Sequence, residues 1–346
     1  MTHQMPRGAS PPSPDDLPTT HEDVARMRIV KRPVGWMGEV ALNLAVVAAY
    51  QAMSRLPFGA RYRLAMVAAM AIYRLWGQGR RRLKYNLRLV SPGLAGRDLE
   101  AAARDVVRTI VRDWAALFRP EKVDVIEISR RMQFEGMEKV LAHVSARAGR
   151  CSADRLVLAA IHMGSFGAAL DAFSLFQVPT YAPAERIRPA ALSRLLVRLR
   201  SKGFLLLEEI ERGTTFRKMV QRMDCGWAVG VMVDIMARRR DRGVRCRVGQ
   251  GAGWFETGAV RLALERQARI IPIFVLWTGE RYQVVVDDGF QPVATGNLEQ
   301  DIDTNTRQFI EERIAPWIER HPGQWMQALW AGLEPAAGSD EGTPPA

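Results

Sequence analysis

Cysteine is scarce in this chain of 346 residues, which has only Cys151, Cys225 and Cys246. They are widely separated and odd in number, so they offer neither a disulfide framework nor paired metal-ligand spacing. We therefore expect a reducing, cytosolic environment and no metal site. An internal repeat is also missing.

Long uninterrupted apolar runs and a signal peptide are missing as well. Residues 1–25 are rich in Pro, Ser, Thr and Asp and have no apolar core segment. Val40–Met53 is interrupted by Asn43 and Gln51, and Leu64–Trp76 has arginines at its flanks. Neither stretch reaches the roughly 18 to 20 apolar residues that a spanning helix needs. Two interpretations remain: amphipathic helices lying in the headgroup plane of a membrane, or ordinary packing helices of a soluble domain.

A glycine-rich phosphate loop is not predicted, because Gly249–Gly253 (GQGAG) has neither a strand before it nor a lysine after it. What the chain does have is a net charge of +12 and an isoelectric point near 10.2. Such a charge favours an anionic partner, whether nucleic acid, phospholipid headgroup or acidic cofactor. With 48% hydrophobic residues, the chain is long enough to bury a sizeable core.

The most informative stretch is Leu156–Asp171, LVLAAIHMGSFGAALD. Its apolar start is typical of a fully buried strand, and the Gly/Ser turn and small residues that follow predict a helix start. His162 therefore falls where a strand ends, which is where open α/β sheets place their chemistry. A histidine there either exchanges protons near neutral pH or is an ordinary core or loop residue.

From Val123 onward, strand-like and helix-like segments alternate. Such alternation predicts an α/β fold with a central, mostly parallel sheet flanked by helices. We expect four regions: a disordered tail at residues 1–30, N-terminal amphipathic helices at 31–90 that are membrane-associating under the first of the two interpretations above, an α/β domain at 91–335, and a second disordered tail at 336–346.

Several short blocks of this sequence follow one another in an order that is also found in a known protein family. They are His162–Phe166 (HMGSF), the basic run Arg80–Pro92 with its Asn86-Leu87 pair, Arg200 near the end of a helix, Gly226–Asp234 (GWAVGVMVD), Glu256–Leu264 (ETGAVRLAL) and Arg269–Phe274 (RIIPIF). Together they resemble the lipid A biosynthesis late acyltransferase-like family of the lysophospholipid acyltransferase superfamily. The resemblance spans roughly Trp36 to Trp330.

This resemblance implies a glycerolipid acyltransferase-like fold on the cytoplasmic face of the inner membrane. The implied reaction moves an acyl chain from an acyl carrier protein or coenzyme A thioester to a hydroxyl of an anionic lipid. The thioester is then a cosubstrate, no separate cofactor is needed, and nucleic acid is not an expected partner. For this reaction His162 would be the base and Asp171 or Asp234 the orienting acid, with Glu185 a further candidate for the acid. Substrate contacts would come from Gly164, Ser165 and Arg200, and from Arg238, Arg239 and Arg240 unless these last three belong to a solvated loop.

One position departs from the family pattern, in which an acid follows the histidine after four residues. Here that position is Gly167. Asp171 lies one helical turn beyond Gly167, a rise of about 5.4 Å along the expected helix, and would need a bridging water to reach His162. A second interpretation is therefore a lipid-binding or scaffold protein that keeps the fold and has lost the reaction.

Overall fold

The computed structural model describes residues 36–117, 130–145, 150–151, 155–165, 167, 172–173, 175–187, 189–201, 204–209 and 213–336. The predicted tail at 1–30 lies outside these ranges, as do all residues of the second tail except Ala336. Asp171 and part of the helix expected at Gly164–Phe176 also lie outside them.

Four consecutive helices come first in the described residues, and from Met132 onward strands and helices largely alternate, as the sequence predicts for the part after Val123. The strands are β1 (Met132–Glu135), β2 (Val144–Ser145), β3 (Arg150–Cys151), β4 (Leu156–Ala160), β5 (Thr180–Ala184), β6 (Leu205–Glu209), β7 (Ala228–Met232), β8 (Gly243–Val248), β9 (Gly251–Glu256), β10 (Arg269–Trp277), β11 (Tyr282–Val286) and β12 (Glu334–Pro335). The helices are α1 (Trp36–Ser54), α2 (Phe58–Leu75), α3 (Gly77–Val90), α4 (Gly96–Leu117), α5 (Glu138–Leu141), α6 (Ala190–Arg200), α7 (Thr215–Asp224), α8 (Gly258–Arg266), α9 (Leu298–Phe309) and α10 (Ala315–Arg320).

Within the described part of the chain, the main sheet has seven strands in the order β1-β11-β10-β4-β7-β5-β6. Strands β10, β4, β7, β5 and β6 are parallel, whereas β11 runs antiparallel to β10 and carries β1 alongside it. This confirms the prediction of a mostly parallel sheet flanked by helices. Strand β4 lies between β10 and β7, and its residues Leu156–Ala159 are all buried. Burial on both faces explains why this strand is apolar at every position rather than alternating.

A small antiparallel sheet corrects one expectation. Strands β8 and β9 form a hairpin, and β12 pairs with β9. A strand therefore does precede the Gly249–Gly253 segment, contrary to the sequence-based expectation. Gly249 has a φ of +61° at the turn, and a Cβ there would lie 2.3 Å from the Val90 carbonyl oxygen. These glycines serve a tight turn against α3.

The first two helices leave apolar side chains on the surface. Leu44 of α1 and Val67 and Leu75 of α2 are 66%, 69% and 86% exposed. On its other side α1 docks on α6, where Asn43 Oδ1 accepts a hydrogen bond of 2.6 Å from the backbone N–H of Ala191. Among the described helices, none is both long and apolar enough to cross a membrane.

The third helix, in contrast, belongs to the core of the sheet region. Leu83, Leu87 and Val90 are buried in the main apolar cluster. On the same helix, Asn86 Nδ2 donates to the carbonyl oxygens of Ala328 and Ala331, both at 2.8 Å. Helix α3 thereby fixes the C-terminal segment against the rest of the molecule.

Candidate active site

His162 and Asp234 meet at one edge of the main sheet. His162 follows β4 and Asp234 follows β7, and these neighbouring strands are parallel with Ala160 opposite Met232. The pairing continues past the strands, since the backbone N–H of Val233 donates to the carbonyl of Ala160 at 2.9 Å. Because parallel neighbours end at the same edge, the two polar residues are brought side by side.

The imidazole and the carboxylate form a direct hydrogen bond. His162 Nδ1 lies 2.8 Å from Asp234 Oδ1, and the backbone N–H of His162 donates to Asp234 Oδ2 at 2.9 Å. Since a carboxylate only accepts, Nδ1 is the donor of this hydrogen bond, and the tautomer of a neutral ring that fits it has its lone pair on Nε2. Asp234 is completely buried, whereas the His162 side chain is 22% exposed. The acid is thus held inside the protein while the ring reaches solvent.

A C-terminal segment completes the surroundings of this pair. Trp325 Nε1 donates to Asp234 Oδ2 at 2.9 Å, and the side-chain amide of Gln327 lies 3.2 Å from His162 Nδ1. The backbone N–H of Met326 donates to the His162 carbonyl at 2.7 Å. Sequence reasoning assigned no role to Trp325 or Gln327, because nothing local connects them with a strand end so far away in the chain.

Gly164 has a conformation that only glycine adopts easily at this place. Its φ is +57°, and a Cβ would lie 2.1 Å from the carbonyl oxygen of Val275. Its backbone N–H donates to the carbonyl of Gln324 at 3.1 Å. The glycine therefore lets the chain turn sharply after His162 and lie close against β10.

A buried acid from α4 lies beside this turn. Asp113 is 3% exposed, and its Oδ1 accepts from Ser165 Oγ at 2.7 Å and from the backbone N–H of Gly167 at 3.3 Å. Arg200 Nη2, at the end of α6, lies 3.6 Å from Asp113 Oδ2. The sequence suggested Ser165 and Arg200 as site residues but not Asp113. Its signal was its position in the apolar stripe of α4, seven residues after Val106 and three after Ile110.

The remaining predicted residues lie on the surface. Arg238, Arg239 and Arg240 follow Asp234 in an exposed loop and pair with acids: Arg238 with Glu185, Arg239 with Asp241 and Arg240 with Glu334. Glu185 thus contacts an arginine in this structure, and no hydrogen bond with His162 is seen among the described residues. Pairs so exposed are weak and open readily to an anionic ligand.

The arrangement has the groups that general acid-base chemistry needs, at the edge of an α/β sheet. A neutral imidazole, oriented through Nδ1 by a buried carboxylate and reachable from solvent, can take a proton from a hydroxyl and return it to a leaving group. Neighbouring guanidinium groups suit anionic substrates.

Comparison with known families makes the assignment more specific. The family model of the bacterial lipid A biosynthesis acyltransferases matches residues 36–330, so the chain belongs to that family. A comparison with curated proteins gave no match. Acyl transfer to a lipid, from an acyl thioester in general, is therefore the activity of the family.

Proposed function

We propose that this chain transfers a fatty acyl group from an acyl carrier protein or coenzyme A thioester to a hydroxyl of an anionic lipid, either of the lipid A type or a phospholipid. The observation that carries the proposal is the hydrogen bond of 2.8 Å between His162 Nδ1 and Asp234 Oδ1 at the edge of the sheet. A family member that had lost the reaction would have no chemical need for this pair.

The proposed reaction begins with the acceptor hydroxyl near His162 Nε2. As its oxygen attacks the thioester carbonyl, Nε2 takes the proton, and Asp234 stabilises the imidazolium that forms. The tetrahedral intermediate then collapses: the carbon–sulfur bond breaks, and the imidazolium returns its proton to the leaving thiolate. The products are the acylated lipid and the free thiol, and no metal or redox step is required.

Anionic groups of the substrates would be held by arginines. Arg200 is only 14% exposed and is fixed beside Asp113, so it suits a defined contact with the donor or with a phosphate. Arg238, Arg239 and Arg240 are between 63% and 75% exposed and suit a looser contact with a lipid headgroup. Planar guanidinium groups can bind phosphate oxygens in pairs.

Membrane attachment through α1 and α2 follows from the same proposal. Leu44, Val67 and Leu75 are exposed apolar residues, and Arg63 and Arg74 of α2 are exposed as well. Apolar side chains in the acyl boundary and arginines near anionic phosphates would hold the chain on a membrane surface. For this family the proposed location is the cytoplasmic face of the inner membrane.

The second candidate function, a lipid-binding or scaffold protein, is favoured by Gly167. The motif acid of the family is missing there, and no acid replaces it within the described part of the same turn. This candidate shares the fold, the apolar helices and the arginines with the first. It differs only in having no transfer activity.

The test is transfer of a radiolabelled acyl group by purified full-length protein. Each donor, acyl-carrier-protein thioester and acyl-CoA, is offered with micelles of a lipid A precursor or of a lysophospholipid. We expect transfer in one of these combinations and its loss in His162→Ala, whereas His143→Ala, which changes a histidine outside the candidate site, should keep the parent rate. Vesicle binding without transfer in any combination, unchanged in His162→Ala, would establish the scaffold instead.

A further inference from the structure

The space beside Gly167, where a side chain would lie, is occupied by a carboxylate from another helix. A Cβ built on Gly167 would lie 3.3 Å from Asp113 Oδ1 and 3.7 Å from Ser165 Oγ. The family pattern has an acid at position 167. In this chain Asp113 of α4, 54 residues earlier, brings its carboxylate to the same place.

The partners of Asp113 lie at the candidate site. Oδ1 accepts from Ser165 Oγ and from the N–H of Gly167, both in the turn that follows His162. Oδ2 has no hydrogen-bond partner among the described residues, and its nearest cation is Arg200 at 3.6 Å. A buried carboxylate is costly unless it is paired, so its presence on the buried, mainly apolar face of α4 calls for a role.

We propose that Asp113 is a positioning residue that replaces the acid missing at position 167. It fixes the turn after His162 through Ser165 and Gly167, and it orients the guanidinium of Arg200 toward the substrate. The inference rests on the proposed acyl transfer and deepens it, because it explains how the site works without the motif acid. Asp113 acts through these neighbours, while Asp234 holds the imidazole itself.

The first experiment replaces the carboxylate without changing its shape. Asp113→Asn should lower kcat by about 10²-fold, the size expected for a misplaced catalytic geometry, with little change in KM for the lipid. The matched control is Asp105→Asn on the same helix, whose exposed carboxylate pairs with Arg108. This control should keep the parent kcat.

The second experiment moves the acid back to the motif position. Gly167→Glu alone should lower kcat, because two carboxylates would then compete for Arg200 at close range. Gly167→Gln, of the same size but neutral, should be less harmful. In Asp113→Asn/Gly167→Glu, one carboxylate is again present beside the turn, and kcat should recover to within about tenfold of the parent.

The outcomes separate this inference from the proposed function. A parent that transfers no acyl group in any donor and acceptor combination overturns both. A parent with transfer that depends on His162, together with an Asp113→Asn variant of equal kcat, overturns the inference alone. A double variant that folds but does not recover overturns it too, because Asp113 is then a structural ion-pair partner. If Asp113→Asn does not fold, the comparison of Gly167→Glu with Gly167→Gln decides: a Glu variant at least as active as the Gln variant contradicts the inference.

Discussion

Replacing Asp234 by asparagine tests how the imidazole is oriented. Oδ2 of this residue accepts from two donors, the His162 backbone N–H and Trp325 Nε1, both at 2.9 Å. An asparagine must therefore place its carbonyl oxygen there and turn its amino group toward His162 Nδ1, 2.8 Å away. An amino group only donates, so Nδ1 must accept and the ring proton moves to Nε2. Nε2 can then no longer take a proton from the hydroxyl.

The size of the effect follows from the alternative orientation of the amide. A flipped asparagine would restore the correct tautomer, but it would face two buried donors with an amino group. Each unsatisfied donor costs about 1 to 3 kcal/mol, so the flip costs about 2 to 6 kcal/mol. Because about 1.4 kcal/mol changes a rate tenfold, Asp234→Asn should lower kcat by about 30-fold to about 10⁴-fold.

The same reasoning predicts a partial rescue by a second change. Trp325→Phe removes one of the two donors and keeps an aromatic ring in the space, so flipping the amide becomes cheaper. Asp234→Asn/Trp325→Phe should therefore be about tenfold faster than Asp234→Asn, although Trp325→Phe alone is no faster than the parent.

The assay is single-turnover acyl transfer near neutral pH with the donor and acceptor that the parent uses, and thermal unfolding of each variant verifies folding. A folded Asp234→Asn variant within about tenfold of the parent kcat would refute the tautomer argument. Equal rates for the single and double variants would show that Trp325 does not control the amide.

Three further predictions concern stability and reactivity. Asn86→Ala removes the side-chain donor of the Ala328 carbonyl and leaves the Ala331 carbonyl with Arg82 Nη2 at 3.2 Å, so it should lower the free energy of unfolding in urea by about 1 to 3 kcal/mol. Burial by itself would raise the pKa of Glu100, but hydrogen bonds from its cationic neighbours, Lys84 first, outweigh burial and lower that pKa. The carboxylate therefore stabilises the folded protein above its unfolded pKa of about 4.3, and this stabilisation is lost as the pH falls through the folded pKa. Glu100→Gln should thus cost about 1 kcal/mol at neutral pH and flatten the acid limb of the pH–stability curve. Burial raises the pKa of the Cys246 thiol to about 12, so alkylation followed by peptide mapping should label exposed Cys225 and spare Cys246 in the folded protein.

The central strands β4 and β7 of the main sheet were predictable because each is recorded locally in the sequence as an apolar run. Strand β4 is continuously apolar since both of its faces are covered, and the apolar run Trp227–Val233 contains β7, whose first two residues are fully buried. Once two such strands are parallel neighbours, their ends must share an edge. The meeting of His162 and Asp234 follows from this rule rather than from any motif.

The rest of the site depends on contacts that leave little local signal. Trp325 lies 91 residues from Asp234 in the chain, and Asp113 lies 52 residues before Ser165. The β8–β9 hairpin was missed because its first strand mixes arginines with small apolar residues, whereas a buried strand is uniformly apolar. Asp113 could have been predicted from the sequence as a residue with a role, because a charged residue in the apolar stripe of a helix needs a buried partner.

The orientation of the site relative to a membrane can be followed through the helices. Helix α2, with its exposed apolar face, ends at Leu75, and α3 begins at Gly77. Gly79 lies against the ring of Trp76 at this junction, where a Cβ would come within 2.4 Å of the indole. Such a tight corner leaves little freedom between the two helices. Asn86 of α3 holds the C-terminal segment, and Trp325 of that segment contacts Asp234. A membrane bound to α2 would therefore have a fixed orientation relative to Asp234 and to the imidazole of His162.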